Sequence, residues 1–236
     1  MRITKRRFST SYTNKQLGLH TITATYGGEL YVAMGSVSAP LLEYIRDLPT
    51  KTAVTTSGSP SHVGQPVTFT ATVTCRKHTI PDGELVTFYD GSAEIGTGTT
   101  TGAVAMFTTS SLTARTHIIK ATYTGDGTFE PSTGLVKQVV EKYATATALS
   151  SSLNPSNYGQ AVTFTATVTP TGPYAPTGKV TFKDGTTGIG TVTMSGGVAT
   201  LTNPKLAVGT HPITAEYLGD ADNAESTSPV LDQVVQ

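Results

Sequence analysis

Tryptophan is absent from the 236 residues, cysteine occurs once, and sixteen basic side chains are matched by sixteen acidic ones. The lone Cys75 excludes an intrachain disulfide and any multi-cysteine zinc framework. It assigns no compartment, because cysteine scarcity does not exclude export. Zero net charge leaves no electrostatic footprint for nucleic acid and no steering toward an anionic membrane. The exception is the cluster Arg2, Lys5, Arg6 and Arg7, read as a solvated terminus: four charges with no basic face elsewhere bind phosphates weakly. No apolar run reaches the roughly 18 residues of a membrane span, so membrane insertion is not expected. The basic start also lacks the apolar core of a signal peptide, and any export signal is expected upstream of this segment. Aromatics make up only 7% and hydrophobics 37%, with Thr, Ser and Gly abundant, which suits thin sandwiches of β-branched strands better than helices.

What the chain does have is repetition. Gln65–Thr74 reads QPVTFTATVT and Gln160–Thr169 reads QAVTFTATVT, an offset of 95 residues. Pro60 answers Pro155, Gly64 answers Gly159, and Gln138-Val139-Val140 answers Gln233-Val234-Val235 at the same offset. That spacing exceeds a solenoid unit of roughly 20 to 50 residues and matches a whole small domain. A partial third copy comes first, because His20–Tyr26 (HTITATY) is a sibling of His117–Tyr123 (HIIKATY) and His211–Tyr217 (HPITAEY). The expected organisation is therefore 1–49 as the C-terminal part of a truncated repeat, then full repeats at 50–142 and 143–236, joined by Glu141-Lys142-Tyr143. Met1 reads as the opening of a fragment of a longer array.

Within each decapeptide Val67, Phe69, Ala71 and Val73, or Val162, Phe164, Ala166 and Val168, alternate with threonines. Period two predicts a half-buried strand with the apolar set facing a second layer and the threonines facing solvent. Phe69, Phe88, Phe164 and Phe182 are expected in the cores. Asp90-Gly91 and Asp184-Gly185 predict tight hairpin turns, since glycine accepts positive φ there. Counting the opening strand, the crossing to Ile213, Ala215 and Tyr217, and the closing Val234-Val235, each repeat yields about seven short strands with no convincing helical period. The pattern predicts an all-β fold of tandem Greek-key β-sandwiches. Leu41–Leu48 could be drawn on a helix, but its alignment with the closing strands favours a strand.

Three motifs fall in the same order twice: Pro60–Ala71 with its twin from Pro155, Pro176–Gly185 with its counterpart, and Gly209–Asp220 with its counterpart. They resemble bacterial immunoglobulin-like tandem repeat domains, over nearly all of the chain from Thr50 and over 17–45 as a half copy. The resemblance implies immunoglobulin-like sandwiches used as spacers, adhesins or accessory domains of secreted or cell-surface bacterial proteins, and it implies no catalytic residues. The central copy departs by inserting Arg76–Ile80 and by carrying Arg115 where the last copy has Gly209, which affects loop lengths rather than the fold.

A search for chemistry finds little. No Gly-x-Ser-x-Gly elbow is present, and Ser59, Ser61 and His62 lie together only in a Pro-marked turn. Gly125-Asp126-Gly127 lacks the lysine and helix of a phosphate loop. His20, His117 and His211 recur at one strand position and are read as hydrogen-bonding a neighbouring loop carbonyl, since no His-x-His pair offers metal-ligand spacing. Cys75 with His78 makes two soft ligands, which is not a site. Tyr26, Tyr123 and Tyr217 sit where a tyrosine corner would tie a loop to the sheet through its hydroxyl. Asp220 and Asp222, at alternate positions of Gly219–Asn223, are candidate Ca²⁺ ligands. The central copy keeps only Asp126 and the first has Glu29, so an Asx-turn reading is preferred.

The function expected is a non-catalytic segment of a secreted or cell-surface bacterial protein, acting as a spacer, presentation or adhesion module, with other repeats of the same array as neighbours and no cofactor. The alternative is a carbohydrate- or protein-binding accessory module of an exported enzyme. Sugar platforms need exposed aromatic faces, and Tyr89, Tyr158 and Tyr174 are the candidates. A cryptic hydrolase or metalloprotein ranks third. The half repeat cannot bury both faces of a sandwich, so it is expected to dock on the central repeat or to pair with a second chain as a homodimer.

Overall fold

The computed structural model describes residues 17–28 and 34–236, and every regular element among them is a strand. Arg2, Lys5, Arg6, Arg7 and Glu29 lie outside the described residues. The half repeat contributes β1 (Gly18–Ile22), β2 (Thr25–Tyr26), β3 (Ser36–Val37) and β4 (Leu41–Ile45). The central repeat contributes β5 (Thr50–Thr56), β6 (Ser61–His62), β7 (Val67–Cys75), β8 (Leu85–Asp90), β9 (Ala93–Thr99), β10 (Val104–Thr109), β11 (Thr116–Tyr123) and β12 (Ser132–Glu141). The last contributes β13 (Thr145–Ser151), β14 (Val162–Pro170), β15 (Lys179–Asp184), β16 (Thr187–Thr193), β17 (Val198–Asn203), β18 (Gly209–Tyr217), β19 (Ser226–Thr227) and β20 (Leu231–Val235).

Two compact units divide the chain. Among the described residues, one takes those up to Thr55 with Thr70–Phe107 and Lys120–Leu135, and the other takes Thr56–Phe69, Thr108–Ile119 and Val136–Gln236. The dividing points fall inside β5, β7, β10, β11 and β12, so each of these strands runs through both units.

In the last repeat β13-β14-β17 form a three-stranded sheet, and β16-β15-β18-β19 form the other, with β20 also pairing β18. Sequence neighbours thus separate between sheets, as a Greek key requires. The central repeat has the same pattern in β10-β7-β5 and β6-β12-β11-β8-β9. Period two explains the layers: Val162, Phe164, Ala166 and Val168 are buried in one core with Val180, Phe182, Ile213, Ala215, Tyr217 and Val235. The alternating threonines face outward and pair across strands, Thr163 with Thr202 at 2.9 Å and Thr68 with Thr108 at 2.8 Å. All four expected core phenylalanines are fully buried. The Asp-Gly turns close the hairpins β8–β9 and β15–β16, with positive φ at Gly91 and Gly185. Leu41–Ile45 is a strand, paired antiparallel with β1. Of the central insertion, Ile80 turns inward and is buried.

Candidate functional site

The closing strand of each sandwich carries a polar residue in its core-facing phase. Gln233 shares the parity of Leu231 and Val235 and is wholly buried, as is Gln138 in β12. A buried amide must find partners for all its polar atoms. Gln233 Nε2 donates to the Leu153 carbonyl (2.8 Å) and the Val234 carbonyl (3.1 Å), and Oε1 accepts from Ser151 Oγ (2.6 Å). Gln138 repeats the arrangement: Nε2 donates to Ser61 Oγ and the Val139 carbonyl, and Oε1 accepts from Thr56 Oγ1 at 2.6 Å. Ser59 Oγ accepts the amide of Val139. The seryl side chains of this turn are thus committed to holding the opening segment on the closing strand, with Ser156 paired in parallel to Val235 and Ser61 to Val140.

Of the recurrent histidines, His117 and His211 bond loop carbonyls as expected. Nε2 of His117 contacts the Thr113 carbonyl at 2.8 Å, and that of His211 the Ala207 carbonyl at 2.9 Å. His211 Nδ1 also meets Asp184 Oδ2 at 2.6 Å. The Ala207 carbonyl first, and then Asp184, raise the His211 pKa despite partial burial.

The tyrosine corner needs correction. Tyr123 and Tyr217 are fully buried, but neither hydroxyl makes a hydrogen bond of acceptable geometry. Burial, with Glu84 and Asp126 nearby, pushes the Tyr123 phenol up to about 12; burial and then Asp220 raise Tyr217 likewise. The loop after each tyrosine is held by a carboxylate instead. Asp126 Oδ1 accepts the amides of Thr128 (2.8 Å) and Phe129 (2.9 Å). Asp220 Oδ1 accepts those of Asp222 (2.9 Å) and Asn223 (2.7 Å), an Asx-turn geometry. Its Oδ2 accepts both the amide and the hydroxyl of Thr177, at 2.7 and 2.8 Å. Burial alone would raise the Asp220 pKa, but the donors of Thr177, Asn223 and Asp222 outweigh it and hold the carboxyl well below its usual range. The Ca²⁺ candidates Asp220 and Asp222 therefore share a loop in which the Asp220 oxygens are occupied by protein donors. Among the described residues no group of three or more His, Cys, Asp or Glu could hold a metal ion. Cys75, His78 and Asp82 line one cleft of about 570 Å³, where Asp82 Oδ1 accepts the amide of Gly102.

The same loops receive the segment that joins repeats. Tyr143 donates its amide to the Asp222 carbonyl and accepts from the Ala224 amide, both at 2.8 Å, as a one-residue parallel bridge to Asn223. Leu48, 95 residues earlier, does likewise: its amide bonds the Thr128 carbonyl, its carbonyl takes the Glu130 amide, both at 2.8 Å, and it bridges Phe129. Thr50 Oγ1 donates to the Glu130 carbonyl and Ser132 Oγ just as Thr145 Oγ1 donates to the Ala224 carbonyl and Ser226 Oγ. The expected link Glu141-Lys142-Tyr143 is therefore stitched rather than loose. Val63 donates to the Glu141 carbonyl, and Lys142 Nζ to the Asp220 carbonyl. The Tyr143 ring stacks on His62, centroids 4.7 Å apart, and tilts against Tyr174 at 6.0 Å. Two glycines make room. A Cβ on Gly64, whose φ is +75°, would lie 1.8 Å from Tyr174 Oη, and one on Gly172 would lie 2.2 Å from Tyr143 Cγ.

Of the sugar-platform candidates, Tyr174 is packed in this junction and Tyr89 carries Lys120 Nζ 4.5 Å above its ring. Tyr158 is 70% exposed. Sequence reasoning missed the buried glutamines and the bridging role of Leu48 and Tyr143. The available signals were a polar residue in an apolar phase and two apolar residues in register at the repeat offset.

A family model described as bacterial Ig-like domain (group 3) matches residues 54–141 and 149–236. No curated protein matches the chain. Among solved structures the chain is similar to invasin, described as a bacterial integrin-binding protein (19% identity, TM-score 0.46, 76% of this chain and 38% of that one). It is also similar to the Yersinia pseudotuberculosis adhesin InvE (14%, TM-score 0.41, 77% and 58%) and to fibronectin(III)-like modules of Clostridium thermocellum CbhA (18%, TM-score 0.33, 77% and 94%).

Proposed function

The chain belongs to the bacterial Ig-like domain family, group 3, and from that membership we propose that it is a non-catalytic spacer or presentation segment of a secreted or cell-surface bacterial protein. The supporting observation is the repeated stitch at Leu48 and Tyr143. Two backbone bonds of 2.8 Å fix each joining residue to the loop of the following repeat. A flexible linker would let neighbouring modules rotate independently, whereas a paired and side-chain-packed one restricts them, which suits holding a terminal domain away from a surface. The side chains that look chemical in sequence are spent on structure: His62 on Tyr143, Ser59 and Ser61 on the closing strand, Asp220 on its own loop.

The second reading, a carbohydrate-binding accessory module, draws on the exposed ring of Tyr158. A glycan array and a hydrolase substrate panel on the purified chain separate the two. Flat responses in both are expected; a saturable glycan hit abolished by Tyr158→Ala would move the function to binding, and turnover would remove the non-catalytic reading.

A further inference from the structure

The stitches at Leu48 and Tyr143 match in their backbone and differ in the side chains around them. Each joining residue exchanges two bonds of 2.8 Å with the loop that follows β11 or β18. One residue earlier on each link, Asp47 stands where the repeat offset places Lys142. The Lys142 ammonium donates to the Asp220 carbonyl and so ties link to loop a third time. An ionised carboxylate is an acceptor only, so no such bond to a loop carbonyl is open to Asp47. The joining residues differ too. The repeat that follows packs the Tyr143 ring: a Cβ on Gly172 would meet its Cγ at 2.2 Å, and Tyr174 tilts against it. Leu48 offers no ring. The receiving loops differ most. Asp220 accepts six contacts, two of them from Thr177 outside its own loop, whereas Asp126 accepts only the amides of Thr128 and Phe129. Gly127, at φ +82°, also stands where the last repeat has Ala221, which widens the conformations open to the loop once the link lets go. All these differences lie on the joining segment or on the repeat after it.

We propose that these two junctions are a lock and a hinge: the Lys142-Tyr143 link stays closed, while the Asp47-Leu48 link opens and recloses on its stitch with the folded strands on either side intact. This division of roles rests on the spacer reading above and places the point at which the spacer yields. A pair of backbone bonds alone is a weak closure, because water replaces both when a segment swings out. What decides is how much else is lost in the same step. Opening at Tyr143 also breaks the ammonium–carbonyl bond and unpacks a ring, and the loop left behind is still held by Asp220 in the conformation that the link fits. Opening at Leu48 gives up less. The loop there, held by two amide bonds beside Gly127, must also be ordered again each time the link returns. Position 47 is the difference most simply exchanged, since its sibling supplies the residue of the locked state.

Amide hydrogen exchange on the full chain tests this. The amides of Leu48 and Glu130 should exchange at least about tenfold faster than those of Tyr143 and Ala224 once intrinsic rates are removed. Asp47→Lys should slow the first pair and Lys142→Asp should hasten the second, each by about three- to tenfold, with the core amides of Phe69 and Phe164 unchanged in both. Thr177→Val, which removes one donor from Asp220, should hasten the second pair alone, and it serves as the second measurement if Lys142→Asp fails to fold. Equal exchange at the two stitches overturns the proposal, as does faster exchange at Tyr143. So does an Asp47→Lys variant in which Leu48 exchanges as before, because the first segment would then fray as a whole rather than bend at its link. None of these failures touches the spacer reading, which glycan binding and turnover decide.

Discussion

The imidazole of His62 lies flat against the phenol of Tyr143, ring centroids 4.7 Å apart and planes 18° apart. One ring belongs to the opening turn of the central repeat and the other to the joining segment. The stack therefore couples the central repeat to the last residue of the link that follows it. Aromatic pairs of this kind contribute about 0.5–1.5 kcal/mol beyond the area they bury. Tyr143→Ala keeps the backbone bridge to Asn223 but removes the ring, and tryptic cleavage at Lys142 should accelerate severalfold while each sandwich stays folded. Cleavage at the wild-type rate would mean that the ring plays no part in restraining the link.

Gln233 fills a core position with an amide whose two ends are both bonded. Gln233→Leu has nearly the same volume but takes Nε2 away from the buried Ser156 hydroxyl and leaves the Ser151 hydroxyl and the Leu153 carbonyl only their bond to each other. A buried group left unpaired costs about 1–3 kcal/mol, so urea unfolding should register a loss of about 1–3 kcal/mol with an unchanged m-value. A neutral or stabilising substitution would show that water replaces the amide.

The Asp220 carboxyl is held below its ordinary value by six donated contacts from Thr177, Asp222 and Asn223. A depressed folded value means that its stabilisation is complete above the unfolded value, about 3.9, and is lost as pH falls below it toward the folded one. Asp220→Asn should therefore lower the unfolding midpoint at pH 6 and flatten the acid decline between about pH 4 and 2 relative to wild type. Parallel acid profiles for the two proteins would refute this role of the carboxylate.

His211 runs the other way. Its folded value is raised, chiefly by the Ala207 carbonyl and also by Asp184. The added stability is fully present below the unfolded value, about 6.5, and fades as pH rises through the folded one. Thermal scans from pH 5 to 9 should show midpoints falling across neutrality, and Asp184→Asn should shrink that fall. A midpoint that rises with pH over this range would reverse the assignment.

The alternation of Val162, Phe164, Ala166 and Val168 made the sandwich legible, because a strand's side chains have only two faces and one must be dry. The repeat offset made the second sandwich legible from the first. Gln233 was harder, since a lone polar residue in a strand reads as solvent-facing until its partners Ser151 and Ser156, roughly 80 residues earlier in the chain, are brought beside it. Tyr143 was taken for part of a linker because its bridge to Asn223 depends on the loop that Asp220 folds, and no local pattern encodes that encounter. The phenols of Tyr123 and Tyr217 failed the tyrosine-corner expectation for a related reason. The carboxylate three residues onward accepts the loop amides, leaving the ring to act by burial.

Phe164 tests the register of the whole last repeat. Its ring is fully buried between the two sheets, and its backbone position pairs with Ser151 on one side and Leu201 on the other. Truncation to alanine removes the ring from a packed layer and leaves a cavity that β-sheets on both sides are too stiff to close, at a cost of about 3–5 kcal/mol. Thr163→Ala, one residue away, should cost far less, because its hydroxyl bonds only Thr202 on the exposed face. Chemical unfolding of the full chain should thus separate the two variants by at least about 2 kcal/mol in the transition assigned to the last repeat. Similar losses at both positions, or a larger one at Thr163, would place the strand one residue out of register, since a single-residue slip exchanges the two faces.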